Sequence, residues 1–90
     1  MSDVLYGKVI NVVDGDTFDL LVTNVAITSL NRYNQTERIR FAGTNAPEMN
    51  TPLGVVTKLE LSSKILFKNV RCEVKARDIF HRVVCDVYIN

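Results

Sequence analysis

The chain has 90 residues, 47% of them hydrophobic, enough for one small domain with its own core and too many for a disordered segment. Eleven basic residues against ten acidic leave a net charge of +1, so any grip on nucleic acid must come from a local cluster rather than from overall attraction. No basic-then-apolar leader opens the sequence and no apolar run reaches membrane-spanning length, so an intracellular protein without a membrane segment is expected.

Gly7 to Val13 is apolar and β-branched and ends at Asp14-Gly15, a strong hairpin signal. Thr17 to Val22 resumes an extended pattern, which predicts a hairpin of the first two strands. Asn24 to Thr36, rich in Asn, Ser and Thr, reads as a long exposed loop or hairpin tip. Glu37 to Phe41 alternates charged and apolar residues, a half-buried third strand. Gly43 to Pro52 is loop. Thr51 followed by Pro52 offers an N-cap and first helical position, and Val55, Leu59, Leu61, Ile65 and Leu66 recur at helical spacing as far as about Phe67. Val70, Cys72 and Val74 then alternate with charged residues, and Val83, Cys85, Val87 and Ile89 mark a return strand after a turn near Arg77 to His81. The prediction is a mainly β fold: a five-stranded OB-type barrel with one helix between strands 3 and 4.

Cys72 and Cys85 match neither a zinc pattern nor a CxxC motif, and the chain has one histidine, so any metal is expected to be a hard cation held by oxygen. Both cysteines fall on the apolar side of their strands, where buried thiols are expected; a disulfide would need a register that sets them opposite each other.

Three polar clusters stand out: Asp14-Gly15-Asp16-Thr17, then Arg40 with Asn45 and Glu48, then Arg77-Asp78 with His81-Arg82. Each alone is an ordinary turn or surface sequence. Together they supply what phosphodiester hydrolysis needs: carboxylates to hold a dication, and arginines whose planar forks grip phosphate oxygens.

Val13-Asp14-Gly15-Asp16-Thr17, Arg38 through Glu48, and Arg77 through Arg82 resemble, in order and internal spacing, the three motifs of staphylococcal nuclease-like (thermonuclease) domains. The resemblance covers nearly the whole chain. It implies one such domain over residues 1–90, without the family's usual C-terminal helices, and calcium-dependent cleavage of DNA or RNA. Carried over by position, Asp16, Asn45 and the carbonyl of Ala46 would hold calcium, with Asp14 as a neighbouring acid. Arg40 and Arg82 would bind phosphate and act in catalysis with Glu48, which would orient or activate water.

The sequence also departs from that family. Asn45 stands where a second calcium carboxylate is expected, His81 and Phe80 replace the usual Gly and Tyr before Arg82, and the segment from Asp16 to Arg40 is longer. A second reading therefore stands beside the first: a catalytically weak or inactive module that binds nucleic acid or a protein partner. An apolar patch where the family packs its later helices predicts a homodimer or a partner chain covering that barrel face.

Overall fold

The computed structural model describes residues 3–90. Its elements run β1 (Val4–Asp14), β2 (Thr17–Val25), β3 (Thr36–Phe41), α1 (Pro52–Ile65), β4 (Asn69–Arg77) and β5 (Val83–Ile89). The strands close into a barrel in the order β1-β2-β3-β5-β4, and the helix lies between β3 and β4 in sequence, as expected of an OB barrel. All neighbours are antiparallel except β3 and β5, which pair in parallel through Ile39↔Val83, Arg40↔Val84 and Phe41↔Cys85.

Closure follows from side-chain alternation and from irregularities in β1. Leu5, Val9, Val12, Phe18, Leu20, Ile39, Val70, Cys72, Val83 and Cys85 point inward and are buried. Each fully buried large side chain contributes roughly 1.5–3 kcal/mol. Phe18 and Phe41 meet edge to face, ring centroids 5.6 Å apart. Register shifts at Tyr6/Gly7, Val9/Asn11 and Val12/Asp14 bend β1 so that it pairs with β2 on one side and β4 on the other.

Both early strands are longer than their apolar runs suggest. β1 begins at Val4, because Val4 to Tyr6 pair with β4, and β2 continues to Val25 opposite Leu5. The loop that follows is not free. Asp3 is buried and accepts hydrogen bonds from Leu30 N–H (2.7 Å), Asn31 N–H (3.0 Å), Asn31 Nδ2 (2.9 Å) and Tyr33 Oη (2.6 Å). These bonds, that of Tyr33 foremost, outweigh burial and hold the Asp3 carboxyl down at about 2.

The helix starts as expected, with Thr51 Oγ1 accepting from Gly54 N–H at 3.1 Å and Pro52 in its first turn. It ends at Ile65 rather than Phe67. Phe67 takes a left-handed conformation (φ 63°) and donates its N–H to Val9 O at 2.8 Å, turning the chain toward β1. The expected apolar face is also corrected. Ile65 is buried and Leu61 and Leu66 pack against the core, but Val55 and Leu59 are exposed. The helix plugs the barrel with its C-terminal end. No helix among the described residues is long and apolar enough to cross a membrane.

Both cysteines are buried and free. Cys72 pairs with Val87 and Cys85 with Val74, so the register sets them diagonally rather than opposite. Contact with Cys72 and burial together push the Cys85 thiol far up, so it stays protonated.

Candidate functional site

Three separate segments meet at one end of the barrel. The β1–β2 turn brings Asp14 and Asp16, the end of β3 and the loop after it bring Arg40 and residues 45–49, and the start of β5 brings Arg82. Asp14, Asp16, Arg40, Asn45, Ala46, Glu48 and Arg82 all line a single cleft of about 400 Å³. A larger cleft of about 560 Å³ lies against Asp3, Asn31, Tyr33 and Arg77. The acid in its lining, Asp3, holds the loop, and Arg77 pairs with Glu37, which also accepts from Asn34 N–H. The smaller cleft is where the three polar segments meet.

Asp16 is buried at its centre. One carboxylate oxygen accepts from Thr17 Oγ1 (2.8 Å), the other from Ala46 N–H (2.9 Å) with Arg40 Nη2 at 3.4 Å. Asp14 Oδ1 caps the turn by accepting from Asp16 N–H at 3.0 Å. The two acids are coupled. Burial raises both, but hydrogen bonds from Asp14, Thr17 and Ala46 and the Arg40 charge outweigh it for Asp16, which falls below the usual carboxylate range. Burial and the contact with Asp16 push Asp14 up. As the pH falls, Asp14 therefore takes up a proton before Asp16.

Arg40 is clamped. Nη1 donates to Phe41 O (3.1 Å), and Nη2 to Thr44 O (2.7 Å) and Asn45 Oδ1 (2.7 Å). Arg82 is held from below by Asp78, whose Oδ2 accepts from Arg82 Nε at 2.7 Å and whose Oδ1 accepts from the Arg82 N–H at 2.9 Å. Burial works against Asp78, yet these bonds and the Arg82 charge keep it below its ordinary value. Binding through Nε leaves the outer guanidinium nitrogens of Arg82 for the cleft. Glu48 is exposed, and its carboxylate has no hydrogen-bond or ion-pair partner among the described residues.

Two glycines hold this arrangement together, and neither stood out in the sequence as a site residue. A Cβ at Gly54 would lie 2.0 Å from Glu48 O, so the first turn of α1 packs directly against the backbone that carries Glu48. The same carbonyl accepts from Thr51 N–H (3.1 Å) and Thr51 Oγ1 (2.6 Å). A Cβ at Gly15 would meet Thr57 Oγ1 at 2.7 Å and Ala46 Cβ at 3.1 Å, which seats the acidic turn on the helix and on the second segment. Gly15 was legible only as part of a turn, and Gly54 only as a glycine inside a helical pattern, which propensity alone disfavours.

Ala46 presents its N–H to Asp16, and the oxygen donors in this part of the cleft are the two carboxylates and the Asn45 amide. They fit a hard cation in kind. They are few, since no three His, Cys, Asp or Glu side chains converge as a cluster among the described residues. A cation here would need other oxygen donors to complete its shell.

No family model matches the chain. It is similar to an uncharacterized endonuclease of Haemophilus influenzae, 32% identical over 81 residues that cover 90% of this chain and 40% of that protein. It is also similar to Protein ParB of Escherichia coli, 28% identical over 86 residues that cover 96% of this chain and 43% of that protein. The chain therefore corresponds, along nearly its whole length, to about two fifths of each of these longer relatives.

Proposed function

We propose that the chain is a metal-dependent phosphodiesterase of the staphylococcal nuclease-like type, cleaving DNA or RNA at the Asp16–Arg40–Glu48–Arg82 cleft. The observation that carries this reading is the convergence of two acids, two oriented arginines and an unpartnered carboxylate from three distant segments on one cleft. The relative named as an endonuclease supports it.

Arg40 and Arg82 grip phosphate oxygens and offset charge that builds on them as the bond to the leaving oxygen breaks. Asp78 aims Arg82 and Asn45 aims Arg40, so little side-chain entropy is lost when the phosphate arrives. Glu48, free of internal partners, orients a water and accepts its proton. Asp16, Asn45 and the Ala46 carbonyl would hold calcium, with Asp14 beside them. The ion, when bound, supplies Lewis-acid polarisation of the phosphate.

The test is cleavage of single-stranded DNA and RNA with calcium, beside calorimetric calcium titration. Glu48→Ala should lower the rate on the order of 10²- to 10⁴-fold while calcium still binds. Asp16→Ala should abolish both. Asn45 favours the second reading, a module that binds nucleic acid without cutting it. Retained oligonucleotide binding with no calcium uptake and no cleavage, in wild type and Asn45→Asp alike, would establish that reading instead.

A further inference from the structure

At the opposite end of the barrel from the cleft, three outward-facing side chains stand in one row across adjacent strands. Tyr6 of β1 pairs with Arg71 of β4, which pairs with Tyr88 of β5. The Arg71 guanidinium lies 4.6 Å from the Tyr88 ring centroid. Glu73 answers its charge at 3.3 Å, yet its buried Nε–H has no acceptor. Two register positions along, Lys8 of β1 pairs with Asn69 and sits 5.8 Å from the ring of Phe67, which is exposed. Lys68 follows, also exposed, and neither lysine has a carboxylate partner among the described residues. A third cleft of about 410 Å³ opens beside Tyr6, lined by Thr23, Asn24, Asn69 and Asn90.

We infer that the outer face of β1, β4 and β5 around Tyr6, Arg71 and Tyr88 is a second contact strip for single-stranded nucleic acid. Flat rings and an arginine plane accept unpaired bases by stacking, unanswered lysines attract the phosphates, and amides beside the rings meet base edges. The positive excess at Lys8 and Lys68 argues for a polyanion over an apolar protein surface. Eight strand positions from Tyr6 to Asp14 span about 26 Å. That distance lies within reach of the roughly 4–16 nucleotides an OB fold covers. The strip would hold a strand whose scissile phosphate lies in the cleft. The choice of occupant rests on the phosphodiesterase reading; the strip does not share the cleft's residues.

The experiment is fluorescence anisotropy with labelled oligo-dT and oligo-U of four and twenty nucleotides, in low salt and with a chelator so that nothing is cut. Wild type should bind the longer strands more tightly. Tyr6→Ala with Tyr88→Ala should remove about tenfold or more of that advantage, the scale of one lost base stack. NMR titration of the unaltered protein covers the case of a variant that fails to fold: amides of Tyr6, Asn69, Arg71 and Tyr88 should shift with the twenty-nucleotide strand. Shifts confined to the cleft, or full length dependence in a folded double variant, would overturn the inference. So would equal occupation of the strip by poly-glutamate, which has charge but no bases. Absence of cleavage when calcium is restored would count against the nuclease reading alone.

Discussion

Arg40 Nη2 and Asn45 Oδ1 lie 2.7 Å apart, so one residue proposed to grip phosphate is held by another proposed to bind the cation. The amide is a neutral acceptor, and it positions the guanidinium without cancelling its charge. Asn45→Asp changes both functions. The added carboxylate should tighten calcium binding by on the order of tenfold, since ligand charge is a main control on affinity. Without calcium it should instead pair with Arg40 in a charge-assisted bond. Calcium titration of both proteins checks the first effect. Phosphate-analogue affinity in a chelator, lower in the variant, checks the second.

Gly54→Ala tests the seat of Glu48. Alanine favours a helix interior by about 1 kcal/mol over glycine. Here its Cβ would fall 2.0 Å from a backbone oxygen. Overpacking against backbone costs roughly 1–3 kcal/mol, so the clash should win. The expected result is a lower melting temperature together with cleavage reduced more than calcium binding. An unchanged or higher melting temperature would mean that the 46–49 loop yields freely.

His81 occupies the left-handed region with φ 64°, where a side chain costs roughly 1–2 kcal/mol. His81→Gly removes that strain and adds about 0.5–1 kcal/mol of unfolded-state entropy. The net expectation is a gain of up to about 1.5 kcal/mol. For a domain of this size that raises the melting temperature by about 4–8 °C per kcal/mol. Differential scanning calorimetry reads it directly, and a drop would show that the imidazole makes a compensating contact.

Asp3 supplies a pH dependence whose sign is determined. Its carboxyl is held at about 2, below the ordinary 3.8. The tether it forms is fully present above the ordinary value and is lost as the pH falls through 3.8 toward about 2. Urea unfolding from pH 5 downward should show stability falling across that window. Asp3→Asn should flatten the fall, and NMR signals of Asn31 and Tyr33 should broaden in the wild type over the same range.

The strands, the capped start of the helix and the three polar segments were legible because local chemistry writes them. Asp14-Gly15 makes a turn whatever surrounds it, Thr51-Pro52 starts a helix, and alternation in Val70, Cys72 and Val74 marks a strand with one dry face. What could not be read depends on distant partners. Val55 and Leu59 share the helical spacing of Ile65, yet α1 enters the core only at its far end. Periodicity shows that a face is apolar, not that anything covers it. Asp3 carried no signal in the sequence because the groups it binds lie about thirty positions on. The sequence showed which residues could form the site, but Gly54 and Asp78 as its supports required the packing.

The parallel pairing of β3 with β5 has a consequence for motion. It is the shortest seam in the barrel, three residue pairs against five or more elsewhere, and the strands it joins share no connecting turn. Local opening should start where the fewest ladder bonds must break. Arg40 lies on one side of that seam, and Arg82 immediately precedes the first paired residue on the other. Amides of residues 39–41 and 83–85 should exchange with solvent deuterium sooner than those of the β1–β2 hairpin. Each such opening would part the two guanidinium groups, so the hold on a phosphate proposed for the cleft would be only as lasting as the closure of the barrel.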